Sequence, residues 1–164
     1  MSLEDRRLVA AWAAACAERV LPLFEAEAPL DDRPRNAIER ARAFSRGELA
    51  VKDEILGRFG DGGAARDVGP AAGAAARSAG QAQAVAHMGA HALGAAAYAV
   101  KAASLASQPI SDEIRWQLAA MTPGVRAALL TLPMVGENKS GPLGPGLLST
   151  GQLGDIIRAI QIAL

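Results

Sequence analysis

Apolar residues recur at helical spacing in several separate segments of the chain. In the first segment they occupy every fourth position from Leu8 to Phe24, which is typical of one side of an amphipathic helix. Proline ends helices because it lacks a backbone donor and its ring clashes with the preceding turn. The pattern therefore predicts a first helix over about residues 3–27 that stops at Pro29, with a bend at Pro22.

The next two helices are indicated by their start and stop signals. Asp31-Asp32-Arg33-Pro34 supplies a capping carboxylate and a proline suited to a first helical turn, so a second helix is expected over about residues 33–44. Apolar positions over residues 51–59 mark a short third helix, which the glycine cluster at 60–63 ends.

The rest of the chain also has helical periodicity, interrupted by breaks. Residues 81–104 are expected to form the longest well-defined helix, and shorter helices are expected after Ser111 and through residues 127–130. The stretch 136–146 contains four glycines and two prolines and predicts a loop. Apolar residues from Leu153 to Leu164 then predict a terminal amphipathic helix.

Together these elements predict an all-α fold, because no run of alternating residues is long enough for a convincing strand. The first 59 residues hold 21 of the 34 charged side chains, whereas only Arg77 and Lys101 are charged between Val68 and Ser111. We therefore expect an irregular bundle of about six to seven helices around an alanine-rich central helix.

Three parts of the chain are expected. Residues 1–135 are predicted to form a helical domain, residues 136–146 a Gly/Pro-rich loop, and residues 147–164 a C-terminal amphipathic helix. The apolar stripe of that last helix would pack either on the same domain or on a partner subunit. In the second case the protein would be a homodimer.

Composition argues against several classes of function. The 17 basic and 17 acidic side chains balance, so neither nucleic-acid nor membrane-surface binding is expected. The single cysteine excludes an internal disulfide. The 23 uncharged residues between Arg77 and Lys101 could span a bilayer, but their glutamines and histidines favour a helix buried in a soluble bundle. Because Glu4 and Asp5 are unsuited to an export signal, we expect a cytoplasmic protein.

The candidate chemistry lies on the uncharged segment. His87 and His91 are four residues apart, a spacing that on a helix places both rings on one face and that suits two metal ligands. With Gln83 one turn before them and Tyr98 about two turns after, they would form a polar ridge. The zinc-protease pattern fails, however, because Met88 stands where the glutamate base is required.

A two-histidine metal site would also need a third ligand. The candidates are carboxylates from elsewhere in the sequence: Asp31, Asp32 and Glu39. The simpler alternative is that both rings are half-buried and hydrogen-bond to backbone carbonyls or to neighbouring helices. We favour this alternative, and accordingly predict no metal and no other cofactor.

Three segments of the sequence resemble a bacterial family described as putative immunity proteins. They are Ala11-Trp-Ala-Ala-Ala-Cys-Ala-Glu-Arg-Val-Leu-Pro-Leu-Phe-Glu25, Asp31-Asp-Arg-Pro-Arg-Asn-Ala-Ile-Glu39 with Ala41-Arg-Ala-Phe44, and Ala86-His-Met-Gly-Ala-His-Ala-Leu-Gly-Ala-Ala-Ala-Tyr-Ala99. The likeness covers roughly the first 105 residues, and the chain departs from the family pattern after about Pro133. The resemblance implies an all-helical, non-enzymatic protein that neutralises a cognate protein toxin.

Three functions from different classes follow from these observations. The first is a non-catalytic binding protein that blocks a toxin with charged surface residues, for which we expect Asp31, Asp32, Arg35, Glu39 and Arg42. Asp32 has a second interpretation as a helix cap. The second function is a structural protein that dimerises through its terminal helix. The third and least favoured is a metal-dependent enzyme that uses His87 and His91.

Overall fold

The computed structural model describes residues 1–50 and 63–164, and within them it contains α-helices and no strand. The all-α prediction is therefore confirmed. The predicted third helix at residues 51–59 lies outside the described residues. Seven α-helices make up most of the described chain: α1 Leu3–Glu25, α2 Arg33–Ser45, α3 Pro70–Ala84, α4 His91–Leu105, α5 Ile110–Ala119, α6 Pro123–Leu130 and α7 Gly151–Ile162.

Helix α1 begins with a capping box. The Asp5 backbone N–H donates to Ser2 Oγ, and the Ser2 backbone N–H donates to the Asp5 carboxylate, both at 3.0 Å. The helix continues through Pro22 and ends at Glu25. Its apolar side lies in the core, where the Trp12 indole N–H donates to the Gln117 carbonyl at 3.0 Å.

Asp32 is the N-cap residue of helix α2, but the carboxylate that bonds to the first helical residue is that of Asp31. Asp31 Oδ1 accepts from the Arg33 backbone N–H at 3.2 Å, whereas the side chain of Asp32 makes no capping hydrogen bond. Asp32 therefore holds the capping position that its second interpretation gave it, without a side-chain hydrogen bond to the helix. Two ion pairs join the polar sides of α2 and α1: Arg35 with Glu25, and Arg42 with Glu18.

The single helix predicted over residues 81–104 is instead two helices, α3 and α4, that pack side by side in opposite directions. The Ser78 hydroxyl on α3 donates to the Ala95 carbonyl on α4 at 2.8 Å. The chain reverses between residues 85 and 90, where the Arg6 guanidinium of α1 donates to the Ala86 carbonyl at 2.7 Å. A side chain at Gly89 would meet the Met1 sulfur at 2.1 Å. The N-terminus of α1 therefore occupies the space beside this turn.

Helix α4 is the centre of the bundle, as the charge distribution predicted. Every residue from Ala92 to Val100 is buried, and most are alanine, so neighbouring helices can approach closely. The uncharged run is shared between α3 and α4, which have 15 residues each. None of the described helices has the length and apolar content needed to cross a membrane.

Helix α7 packs on the same chain. The residues of its apolar stripe are buried: Leu153, Ile156, Ile157 and Ile160. The Gln161 amide connects the helix to the chain before the loop, donating to the Pro133 carbonyl at 2.8 Å and accepting from the Val135 N–H at 2.9 Å. Residues 136–146 have no regular helix.

Candidate functional site

A pocket of about 340 Å³ lies where the chain turns from α3 into α4. It contains all four residues of the polar ridge that the sequence analysis singled out: Gln83, His87, His91 and Tyr98. The other described residues that line it are Ala65, Ala76, Arg77, Gly80, Gln81 and Ala84. We call this cavity the hairpin pocket.

The two histidines lie close together, but not on one helix as predicted. His87 lies in the turn and His91 is the first residue of α4, so they do not share the face of one helix. Their rings nevertheless meet edge to face, with centroids 5.2 Å apart and an interplanar angle of 63°. Both rings are half-buried.

A hydrogen bond joins His91 to Gln81. His91 Nδ1 lies 2.8 Å from the amide oxygen of Gln81 on the neighbouring helix. Because an amide oxygen can only accept, Nδ1 of His91 donates in this contact. This contact matches the alternative that we favoured, in which a half-buried ring bonds to a neighbouring helix.

Tyr98 and Arg77 form the other chemical feature of the pocket. Tyr98 is buried, and burial raises the pKa of its hydroxyl, while the positive charge of Arg77 opposes that rise in pKa. Arg77 itself is exposed and forms no ion pair with any described residue. Gly80 and Ala84 also line the pocket, and a Cβ added at Gly80 would meet nothing within 4 Å.

The predicted third metal ligands lie away from the histidines. Asp31, Asp32 and Glu39 belong to α2 and the turn before it, and none of them lines the hairpin pocket. Within residues 1–50 and 63–164, no three or more His, Cys, Asp or Glu side chains are grouped so that they could hold a metal ion.

The five charged residues predicted to contact a partner lie on and just before α2, and we call them the α2 surface. Arg33 binds Asp31 through two hydrogen bonds of 2.8 and 2.5 Å, and this contact lowers the pKa of the Asp31 carboxyl. Arg35 and Arg42 are held by glutamates of α1. Asp32 and Glu39 are exposed and make no ion pair with a described residue. Glu39 lines a shallow depression with Asn36, Arg40, Ala43, Arg46 and Leu49.

Sequence reasoning missed a buried polar group at the contact of α1 with α5. The Glu113 side chain is 2% exposed and accepts from Arg19 Nε at 2.7 Å, while the guanidinium of Arg19 lies 4.5 Å from the centre of the Trp116 ring. Gln117 Nε2 donates to the second carboxylate oxygen at 3.2 Å. The spacing of Glu113 and Gln117 by four residues was the available signal.

Cys16 lies next to this group and is fully buried. Burial raises the pKa of its thiol well above the ordinary value, and the negative charge of Glu113 adds to the rise. A thiol with a raised pKa stays protonated and is a poor nucleophile. Its environment is therefore that of a packed core residue.

Comparison with known proteins gives a family match. Residues 1–123 match a family model described as Imm-5 like putative immunity protein. No curated protein and no solved structure matches the chain. The matched part includes α1 to α5, and with them both the α2 surface and the hairpin pocket.

Proposed function

Because this chain belongs to the Imm-5 like putative immunity protein family, we propose that it neutralises a protein toxin by binding it and catalyses no reaction. The family match over residues 1–123 is the observation that carries this proposal. An immunity protein of this kind needs a stable surface that is complementary to its toxin. The tightly packed α3–α4 hairpin and the capped helices α1 and α2 provide a rigid support for such a surface.

The α2 surface is the region that we propose as the contact with the toxin. Its exposed groups carry both signs of charge, which suits recognition of one partner and rejection of others. Three of them are already held by ion pairs: Asp31, Arg35 and Arg42. Binding then costs less conformational entropy for these side chains, because they are ordered beforehand. Asp32 and Glu39 supply negative charge that no described side chain neutralises.

Co-expression tests the toxin-neutralising function. The protein encoded next to this chain in its genome would be expressed in a sensitive bacterial host with and without this chain. We expect growth to stop with the neighbour alone and to continue when both proteins are present, with the two proteins forming a complex measurable by calorimetry. Growth arrest that this chain does not relieve, or a neighbour without toxicity, would contradict the proposal.

Charge reversal then tests the proposed contact. In the double variant Asp32→Arg and Glu39→Arg, we expect the affinity for the toxin to fall at least about tenfold, since rim charges set association rate and orientation. The matched control is Asp155→Arg, which reverses an exposed charge on α7, outside the family match. Equal affinities for the two variants would show that the toxin binds another face of the molecule.

A further inference from the structure

We propose that Arg7 binds a carboxylate side chain of the toxin and anchors the complex beside the end of α2. This inference rests on the proposed toxin-neutralising function, and it adds a residue that the α2 surface does not include. It depends on three observations: the position of Arg7 between α1 and α2, the way its guanidinium is held, and its lack of a partner among the described residues.

Arg7 lies at the end of a row of contacts between α1 and α2. Three contacts follow one another along these two antiparallel helices: Glu25 with Arg35, Glu18 with Arg42, and Arg7 with Gly47 just beyond the end of α2. At the first two contacts, a carboxylate of α1 neutralises an arginine of α2. At the third, the arginine belongs to α1 and lies against a residue that has no side chain. The row therefore ends with a cation that has no carboxylate opposite it.

The guanidinium of Arg7 packs flat on Gly47. A Cβ added at Gly47 would lie 3.3 Å from Arg7 Cζ, and 3.4 and 3.5 Å from its two terminal nitrogens. Distances this similar place the face of the guanidinium, and not its edge, against the glycine. Gly47 has a φ of +81°, in the left-handed region that favours glycine. The residue that the backbone favours here is thus also the one that leaves room for the guanidinium.

The polar edge of Arg7 is available to a partner molecule. Its Nε is buried without a hydrogen-bond partner, and the side chain forms no ion pair with any described residue. The residue as a whole is half-buried, and its terminal nitrogens Nη1 and Nη2 are not among the enclosed atoms. A partly desolvated charge interacts more strongly with an opposite charge than a fully hydrated one does. Arg7 is therefore prepared to bind an anion at its outer edge.

A carboxylate is the anion that suits this edge on a protein partner. The planar fork of an arginine binds a carboxylate through two parallel hydrogen bonds. The chain uses this geometry next to Gly47, where Arg46 donates to both oxygens of Glu48 at 2.6 and 2.7 Å. Glu48 is thereby engaged by Arg46, so the carboxylate for Arg7 has to come from the partner. An arginine that is ordered before binding loses little entropy, and arginines are frequent hot spots of interfaces.

One interface can include both Arg7 and the α2 surface. Helix α2 has 13 residues, which makes it about 20 Å long. A standard interface buries about 800 Å² of each partner, which corresponds to a patch about 30 Å across. Arg7 and the charged residues of α2 therefore fall within one contact area of ordinary size.

Substitution of Arg7 tests the anchor, with the toxin identified by co-expression as the probe. We expect Arg7→Gln to weaken the complex at least about tenfold. Arg7→Lys keeps the charge without the planar fork and should weaken it about threefold or more. The matched control Arg158→Gln removes an exposed arginine of α7, outside the family match, and should leave the Kd within about twofold. Calorimetry measures each Kd, and thermal unfolding shows that each variant is folded.

A double-mutant cycle locates the carboxylate on the toxin. Each surface Asp or Glu of the toxin is replaced by its amide and titrated with the parent chain and with Arg7→Gln. We expect one replacement to weaken binding to the parent chain and to have little effect on binding to Arg7→Gln. If Arg7→Gln binds the toxin within about twofold of the parent chain, or if no toxin carboxylate is coupled to Arg7, this inference is overturned while the proposed function stands. A parent chain that binds no toxin contradicts the proposed function itself, and this inference with it.

Discussion

At the scale of single residues, Glu113 is the charged side chain that the described part of the chain buries most completely. A carboxylate with almost no exposure to water needs partners that replace its hydration, because a buried charge without them is costly. Arg19 and Gln117 supply these partners from α1 and from α5 itself. The exposed ion pair of Arg115 with Asp112, one turn away, has no such burial. The two pairs have similar chemistry and should differ in their effect on stability.

Removing Arg19 should therefore destabilise the fold. We expect Arg19→Ala to lower the free energy of unfolding by about 1–3 kcal/mol, since the buried carboxylate of Glu113 then lacks its cation. Arg115→Ala is the matched control and should change it by less than about 0.5 kcal/mol. Urea denaturation followed by circular dichroism measures both. Equal effects of the two substitutions would show that the Glu113 pair contributes no more than a surface pair.

At the scale of helices, close contacts decide which glycines are required. Gly154 in α7 faces the carbonyl of Ser149, and an added Cβ would lie 2.5 Å from that oxygen. Backbone atoms at this distance cannot move aside as the end of a side chain can. Gly80 in α3 points into open space, and an added Cβ would meet nothing within 4 Å. The first glycine is needed for packing, whereas the second only weakens its helix.

The same substitution should consequently have opposite effects at these two positions. We expect Gly80→Ala to raise the free energy of unfolding by about 0.5–1 kcal/mol, because alanine is the better helix former. Gly154→Ala should lower it by about 1–2 kcal/mol, since the cost of overpacking exceeds that gain. Thermal melts of the two variants and the parent chain provide the comparison. A stabilised Gly154→Ala chain would show that α7 can shift away from Ser149 at little cost.

At the scale of the whole molecule, α7 closes the core of its own chain. Ile157 on its inner side is completely buried, whereas Ile162 near its end is 74% exposed. The Arg126 guanidinium of α6 donates to the Leu164 carbonyl at 2.8 Å and holds the end of the chain in place. This packing assigns the apolar stripe of the helix to the interior of the folded chain.

Charge on the inner side of α7 should therefore prevent folding. We expect Ile157→Asp to lower the free energy of unfolding by about 4 kcal/mol or more, because it places an unpaired carboxylate in the core. Ile162→Asp should change it by less than about 0.5 kcal/mol. Circular dichroism reports the fold and light scattering the oligomeric state. An Ile157→Asp chain that stays folded but loses a dimeric state would instead place this stripe between two copies.

Most helices could be predicted from the sequence because their ends have local signals. The capping sequence before Arg33 and the proline in the first turn of α2 placed its start correctly. The break after Ala84 could not be predicted in the same way, since residues 81–104 contain no proline and have strong helix formers on both sides of Gly89. Contacts from Arg6 and Met1, which lie 80 or more residues earlier, accompany that turn.

The candidate site, like the helices, could be predicted from the sequence only in part. The sequence identified Gln83, His87, His91 and Tyr98 as polar residues in an apolar segment, and all four line the hairpin pocket. It did not indicate the parts that Gln81 and Arg77 have there, because these depend on how α3 lies against α4. The contacts expected for the α2 surface stay predictions until the toxin experiments are done.

By itself, the sequence determined the helical character of this protein, its buried alanine-rich centre and its family. These properties depend on local propensity, on the spacing of apolar residues and on motifs that are read along the chain. Only the tertiary structure decided where the long uncharged segment turns, which side chains meet in the hairpin pocket and that α7 packs on its own chain. Those outcomes depend on contacts between residues that are far apart in the sequence, and no local pattern contains them.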